Sequence, residues 1–279
     1  MATLFGVDAY SPQEIAERVE DVGVTKARLP VLSTFTLAVL AGGFIGLGAL
    51  YFTLVTSDAT LGFALSRTLG GLCFSLGLIL VVVAGAELFT GNNLLVMAWA
   101  AGRITGWELL RNWALVLLGN ATGAVGLAVL VVLAGQASLN DGEVGRHAVR
   151  LAALKVTLPF WTAFFRGVLC NVLVCLAVWL AMAGRSVTDK LLAVLFPISA
   201  FVAAGFEHSV ANLYLIPLGM LLDTREGGLP ALGFTGLLRN LIPVTLGNIV
   251  GGAGMVALVY TLVYRRGAHR PLPGSSRPP

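Results

Sequence analysis

The stretch Gly205-Phe206-Glu207-His208-Ser209 places a carboxylic acid beside an imidazole in the middle of a long apolar run. Residues 191–206 and 209–222, on either side of this pair, carry no formal charge. Ionisable side chains are costly where they face lipid, so this pair is expected to face a cavity or the protein interior. The stretch therefore predicts a path through a membrane.

A second apolar run contains a similar interruption. Gly85-Ala86-Glu87-Leu88-Phe89-Thr90-Gly91 lies earlier in the chain, and Glu87 is the one formal charge between residues 68 and 102. About 20 residues cross the hydrocarbon core, so this segment is long for one straight span and short for two. We interpret it as a single span broken near Glu87, and we expect the two interruptions to face each other.

The composition is that of an integral membrane protein. Hydrophobic residues make up 57% of the chain and charged residues 11%, whereas about 25% of the residues in soluble domains are charged. The net charge of +4 indicates basic residues kept on the cytoplasmic side rather than a nucleic-acid partner. The chain has three cysteines, an odd number, and all lie in apolar runs. We therefore expect buried free thiols, and we expect no disulfide, metal site or other cofactor.

The apolar runs predict an all-α membrane protein of six transmembrane helices, with spans 2 and 5 broken. Before them, residues 1–28 are predicted to form a short amphipathic helix at the cytoplasmic face, because Ser11-Pro12-Gln13-Glu14 is a capping box followed by apolar residues at helical spacing. Residues 29–265 form the six-span transport domain. Residues 266–279, rich in Pro, Gly, Ser and Arg, are predicted to be a disordered cytoplasmic tail.

Basic residues predict the orientation of the chain. With six spans, both termini lie on one side, and eleven Lys and Arg residues are found on that side against six on the other. Basic residues concentrate on the cytoplasmic side of membrane proteins, so we expect both termini to be cytoplasmic.

The two halves of the chain repeat. Leu109-Leu110-Arg111-Asn112 recurs as Leu237-Leu238-Arg239-Asn240, and Gly119-Asn120 recurs at the same offset as Gly247-Asn248. The repeats cover about 29–140 and 155–265. Each holds three spans, an odd number, so the second is expected to be inserted upside down relative to the first. Inverted repeats with a broken helix in each half are typical of transport proteins, whose path lies at the repeat interface.

The residues at the two interruptions favour a small anion. Helix N-termini exposed by a break carry partial positive charge, and Thr90 offers a hydroxyl. His208 can titrate near neutral pH, so it can hold a positive charge for an anion or transfer a proton. The base of a weak acid suits such a site, since protonation lets it cross apolar constrictions as a neutral molecule. Glu87 and Glu207 are expected to support the broken helix ends by accepting backbone N–H groups.

Several long motifs, in the right order, resemble the formate/nitrite transporter family across roughly residues 10–265. These motifs are Ala84–Asn92, Leu110–Trp113 with Gly119-Asn120, Arg166–Asn171, Gly205–Asn212, and Asn240–Pro243 with Gly247-Asn248. The resemblance implies an aquaporin-like fold assembled as a homopentamer in a bacterial or archaeal cell (inner) membrane. It also implies one pore through each protomer.

The resemblance further implies roles for single residues. His208 is the central pore residue, Thr90 hydrogen-bonds near it, and Lys155 draws anions into the outer vestibule. Asn171 and Asn248 supply polar groups near the path. The apolar constrictions are assigned to Phe74, Leu78, Leu88, Phe89 and Phe201. Among the substrates of the family, residues 87–93 favour formate, with nitrite or hydrosulfide as alternatives.

Two other classes of function compete with an anion channel. One is a passive pore for neutral solutes such as water or glycerol, although neither interruption contains an Asn-Pro-Ala tripeptide and one carries a histidine. The other is a membrane-embedded enzyme or assembly subunit, which we do not favour because the sequence shows no metal-ligand cluster, nucleophile elbow or phosphate-binding loop.

Overall fold

The computed structural model describes residues 10–224 and 232–265, and all regular elements within them are helical. The tail predicted at 266–279 lies outside the described residues, as do residues 1–9 of the N-terminal arm. The α-helices are α1 (Pro12–Ala27), α2 (Val31–Thr56), α3 (Phe63–Leu80), α4 (Val96–Ala100), α5 (Gly106–Leu133), α6 (Glu143–Val156), α7 (Phe160–Ala183), α8 (Val187–Ala203), α9 (Ser209–Leu222), α10 (Phe234–Ile249) and α11 (Val259–Tyr264).

Short segments of other helical types connect some of these helices. A π-helical turn, Val81–Gly85, extends α3, and a 3-10 helix, Gly91–Leu95, leads into α4. A longer π-helical segment, Val250–Leu258, joins α10 to α11. Gln136–Ser138 forms a 3-10 turn between α5 and α6.

Within the described residues, five helical stretches are long and apolar enough to cross a membrane. They are Val31–Thr56, Phe63–Gly85, Gly106–Leu133, Phe160–Ala183 and Phe234–Tyr264. The remaining apolar helices, α8 and α9, are shorter than any of these stretches. A span needs about 20 residues, so each of these two helices alone is short for a crossing.

The two interruptions are non-helical turns that begin at a glycine. The backbone at Gly85 has a φ of 82° and that at Gly205 a φ of 73°, and side chains larger than hydrogen disfavour this left-handed region. α3 with its π turn ends at Gly85, whereas α8 ends at Ala203 and α9 begins at Ser209. Each turn then carries its acid, Glu87 or Glu207, shortly after the glycine.

α1 is fixed to the end of the last helix by its buried acid. Ser11 and Glu14 form both halves of the predicted capping box at its start. Glu20 is fully buried, and its carboxylate accepts hydrogen bonds of 2.7 and 3.0 Å from the Arg265 guanidinium. These bonds raise the pKa of Arg265. A buried acid is thus balanced by a cation from the far end of the described chain.

Close backbone contact joins α2 to α5 and, in the second half, α7 to the segment after α10. A Cβ atom added at Gly123 would overlap the carbonyl oxygen of Val39, and one added at Gly251 would overlap that of Val168. Small residues permit such close approach of membrane helices. The same contact therefore recurs in both halves of the chain.

We expect Gly123→Ala to destabilise the protein strongly, because the added methyl group must push α5 away from α2. Overpacking of this kind costs about 1–3 kcal/mol or more. Gly126→Ala is the matched control, since nothing lies within 4 Å of a Cβ atom at Gly126. Thermal unfolding of purified protein in detergent measures the difference, and equal midpoints for the two variants would contradict the close contact.

Candidate functional site

The centre of the candidate site is a hydrogen bond between the two interruptions. His208 Nε2 lies 3.0 Å from Thr90 Oγ1, and His208 is 3% exposed. The backbone N–H of Ala211 donates to Nδ1 over 3.1 Å, which makes His208 the N-cap of α9. Because Nδ1 accepts this bond, the proton of the neutral ring belongs on Nε2, which then donates to the Thr90 hydroxyl.

Apolar side chains surround this imidazole. The Phe201 ring stacks on His208 with centroids 5.9 Å apart, and the Phe74 ring meets Phe201 edge-on at 5.6 Å. A small cavity, too narrow to hold a water molecule, is lined by Ile45, Phe74, Leu78, Leu88, Val174, Ile198, Phe201 and His208. Four of the five predicted constriction residues therefore meet at His208. The fifth, Phe89, is not in this lining, and its ring packs against Trp113 at 6.2 Å.

The cavity is built from corresponding positions of the two halves. Leu78 corresponds to Ile198, and Leu88 corresponds to His208. Both pairs have the same separation in sequence as the two glycines, Gly85 and Gly205. The imidazole thus occupies the position that a leucine holds in the first half. The polar group thus replaces an apolar one in a cavity whose other lining side chains are all apolar.

Glu207 is held by side chains. Lys155 Nζ lies 3.0 and 3.1 Å from its two carboxylate oxygens. Asn212 Nδ2 donates to the same carboxylate over 2.7 Å and to Asn240 Oδ1 over 2.7 Å. Asn240 in turn donates to the backbone carbonyl of Lys155 over 2.9 Å. This closed network ties α6, α9 and α10 to the second interruption.

Glu87 has the same set of partners in the first half. Lys26 Nζ lies 2.9 Å from its carboxylate, and Asn92 Nδ2 donates to that carboxylate over 2.6 Å. Asn92 also donates to Asn112 Oδ1 over 2.9 Å, and Asn112 donates to the carbonyl of Lys26 over 3.3 Å. Lys26 therefore corresponds to Lys155. The structural correspondence of the halves begins with α1 and α6, earlier than the repeats read from the sequence.

Backbone groups of the second interruption are bound by Asn248. Its Oδ1 accepts the N–H of Ser209 over 3.0 Å, and its Nδ2 donates to the carbonyls of Glu207 and Gly167 over 3.0 and 2.8 Å. The described donors to the Glu87 and Glu207 carboxylates are side chains, so the prediction that these acids accept backbone N–H groups is wrong; the asparagine bonds those groups instead. One amide thus satisfies three backbone groups of this turn and of α7.

Asn120 binds the first interruption in the same way. It accepts the N–H of Phe89 over 2.9 Å and donates to the carbonyls of Glu87 and Ala38 over 2.9 and 2.8 Å. Unpaired backbone groups are especially costly away from water, so each asparagine makes a non-helical turn tolerable within an apolar protein.

Asn171 breaks the correspondence between the halves. Its Nδ2 donates to the carbonyls of Thr90 and Asn248 over 3.2 and 2.7 Å. The matching position in the first half is Gly42, where an added Cβ atom would overlap the Asn120 carbonyl. Asn171 therefore links Thr90, the hydrogen-bond partner of the imidazole, to the opposite half.

A larger cavity of about 360 Å³ lies beside α1, and we call it the α1-side vestibule. Lys26, Glu87 and Lys190 are among the residues that line it. Leu78 and Leu88 line both this vestibule and the small cavity at His208. These two leucines therefore separate the vestibule from the imidazole. We call the opposite side of the site, where Lys155 meets Glu207, the α6 side.

The partner of Glu87 was not evident from the sequence. On the sequence alone Lys26 is one of the basic residues of the N-terminal arm, and the asparagines that bind the two acids have no assigned role. The available signal was weak: Glu14 and Lys26 match Glu143 and Lys155 at one common offset, but few other residues of α1 and α6 agree.

The sequence is similar to those of known channels. The sequence profile described as "Formate/nitrite transporter" matches residues 13–262. The chain is 42% identical over 274 residues to "Formate channel FocA" of Escherichia coli (strain K12), covering 93% of this chain and 96% of that protein.

Two solved structures are also similar. One, "Pentameric formate channel with formate bound", has a TM-score of 0.79 at 39% identity and covers 84% of this chain and 97% of the other. A second, "FNT family ion channel", has a TM-score of 0.81 at 32% identity and covers 90% and 98% of the two chains. With its helical fold and these similarities, the chain belongs to the formate/nitrite transporter family, whose members are channels and transporters rather than enzymes.

Proposed function

We propose that this protein carries a small monovalent weak-acid anion, most favourably formate, across a cell membrane along a path through His208. The observation that carries the proposal is the His208–Thr90 hydrogen bond, beside a cavity whose other lining residues are apolar. The similarity to formate channels supports the choice of formate. Nitrite and hydrosulfide are the alternatives.

In this proposal α8 and α9 together form the broken fifth span, which brings the number of spans to six, and α3 with α4 forms the broken second span. The two halves are inverted relative to each other, with α1 and both termini on the cytoplasmic side. The repeated Lys–Glu–Asn networks and the two left-handed glycines support this arrangement. Transport proteins built on inverted repeats place their substrate path where the half-helices meet.

Proton transfer at His208 follows from the partners of its ring. A second proton on the ring would displace the bond from Ala211 to Nδ1, and an isolated charge is disfavoured in an apolar cavity. The imidazolium therefore forms when an anion lies beside it. The ring takes its second proton from the aqueous phase. The proton on Nε2 then passes to a carboxylate oxygen, which leaves a neutral acid and a neutral ring that carries its remaining proton on Nδ1. Loss of that proton and uptake of one on Nε2 restore the tautomer whose Nδ1 accepts the N–H of Ala211. The neutral acid passes Leu78 and Leu88, or Phe74 and Phe201, without a charge.

Lys155 contributes at short range. Two of its three ammonium N–H groups account for the bonds to Glu207, and the third remains for an anion that approaches from the α6 side. Asn171 and Asn248 hold Thr90 and His208 at the distance their hydrogen bond requires. Phe89 supports Trp113 behind the first interruption.

Assembly as a homopentamer in lipid is part of the same proposal. The similar solved structure is described as pentameric. Large hydrophobic side chains on the described helices, such as Leu118, Leu130 and Phe165, are more than half exposed. Lipid tails and neighbouring protomers are the surroundings that such exposed apolar surfaces require.

A substrate panel tests the proposed function directly. Purified protein in liposomes is given formate, nitrite or hydrosulfide at pH 5 and pH 8, with protein-free liposomes as background. We expect saturable formate flux above that background. Osmotic swelling with glycerol and no anion flux would instead identify a pore for neutral solutes.

His208→Asn tests the role of the imidazole. We expect formate uptake by the unaltered protein to rise about tenfold or more from pH 8 to pH 5, because His208 is protonated more readily at low pH. Asparagine still accepts the N–H of Ala211 as an N-cap, but it does not titrate, so the pH dependence should be lost. His147→Asn is the matched control, since His147 bonds Thr56 away from the site. Equal uptake at both pH values by the unaltered protein would count against the mechanism.

Lys155→Gln tests the ion pair at the second interruption. The Glu207 side chain is 5% exposed, and removing one partner of a buried pair costs about 3–5 kcal/mol. We expect a large fall in the thermal midpoint in detergent. The double variant Lys155→Gln with Glu207→Gln removes both charges, so it should regain much of the loss. Equal destabilisation of the single and double variants would show that the buried charge is not the cause.

A further inference from the structure

Two further cations lie beside the glycines at which the interruptions begin. The Nη1 and Nη2 atoms of Arg67, in the second turn of α3, lie 3.8 Å from a Cβ atom built on Gly205. Lys190, in the first turn of α8, lines the α1-side vestibule together with Gly85. Both residues are half-buried. One cation thus stands at each end of the proposed path.

These two cations differ from the lysines that hold the acids. Lys155 and Lys26 are each paired with a carboxylate, so each pair is close to neutral when seen from a distance. In residues 10–224 and 232–265, no acid pairs with Arg67 or Lys190. The described contact of the Arg67 guanidinium is with the Phe63 ring, 5.7 Å away.

The acids nearest in sequence are already occupied. The carboxylate of Asp189, next to Lys190, accepts the backbone N–H groups of Arg185 and Ser186. Asp58, in the loop before α3, accepts the N–H and hydroxyl of Thr60. Neither carboxylate cancels the charge of Arg67 or Lys190 by direct contact.

An unbalanced cation at the mouth of a cavity raises the local concentration of anions, because low-dielectric walls focus its field. A guanidinium also matches a carboxylate in two parallel hydrogen bonds. Long-range attraction of the substrate therefore belongs to the charges that no acid cancels.

We propose that Arg67 and Lys190 are the residues that collect the anion at the two mouths, Arg67 on the α6 side and Lys190 on the α1 side. In this scheme Lys155 and Lys26 act at short range and hold the interruptions in place. The inference rests on the proposed function, since it requires that the path carry a small anion.

The test measures the formate concentration that gives half-maximal initial flux. Sealed vesicles of right-side-out and inverted orientation are prepared from cells that produce each variant, so that each mouth is tested separately. At an ionic strength of about 0.02 M, we expect Arg67→Gln to raise this concentration about three- to tenfold for flux from the α6 side. Lys190→Gln should do so from the α1 side, and maximal flux should change little.

The salt dependence of half-saturation distinguishes an electrostatic role from a structural one, because a structural defect would persist at high salt. At about 0.5 M salt, charges are screened over a few ångströms. The half-saturating formate concentrations of the variant and of the unaltered protein should then become equal. Arg67→Lys keeps the charge and should behave as the unaltered protein. Arg67→Met also removes the charge but keeps an apolar side chain. It is tested together with Arg67→Gln, so that one uncharged variant can still be measured if the other misfolds.

Arg146→Gln is the matched control for charge. It removes one positive charge from α6, where Arg146 and Arg150 share the acid Glu143, and Arg146 lies about 13 Å along the helix from Lys155. We expect no change in half-saturation. Unchanged values for the uncharged Arg67 and Lys190 variants, equal effects from both sides, or effects that persist at high salt would overturn the inference. Absence of saturable formate flux in the unaltered protein would instead overturn the proposed function, and the inference with it.

Discussion

The fold depends on satisfying backbone groups where the chain stops being helical inside an apolar protein. Two asparagines, Asn120 and Asn248, each bind three backbone groups and connect an interruption to α2 or α7. Without such partners the free N–H and C=O groups would each cost several kcal/mol in surroundings without water. The Lys–Glu–Asn networks then fix the acid of each turn in place. Every functional side chain of the candidate site stands on one of these turns or against it.

Function enters where the two halves differ. The scaffold is shared: acids, asparagines, lysines and left-handed glycines correspond between the halves. Leu88 and His208 occupy matching positions, and so do Gly42 and Asn171. The imidazole of His208 thus bonds the hydroxyl of Thr90 from the other half, and the Asn171 amide bonds the backbone carbonyl of the same threonine. A largely shared frame surrounds the cavity, and in the proposed function a few residues that differ between the halves provide its chemistry.

The sequence revealed the interruptions because a charge in an apolar run is conspicuous. Glu87 and Glu207 each follow a glycine with positive φ, and the matching of the two motifs marked the repeat. The partners of these acids were not predictable in the same way. Lys26 lies on a helix whose sequence hardly resembles that of α6, and it is distant in sequence from the acid it pairs with. The Phe89 ring points toward Trp113. This direction depends on how the helices pack, which the spacing of residues in the sequence does not reveal.

The bond between Glu20 and Arg265 has a consequence for how the protein is made. Glu20 leaves the ribosome early and is fully buried in the finished fold, yet its guanidinium partner is synthesised 245 residues later. The first helix therefore cannot form its hydrogen bonds to Arg265 until the last described helix has been translated and inserted. Until then the Arg103 guanidinium, 3.7 Å from the same carboxylate in the finished fold, is the cation available to it. Complete docking of α1 is accordingly a late step in biogenesis.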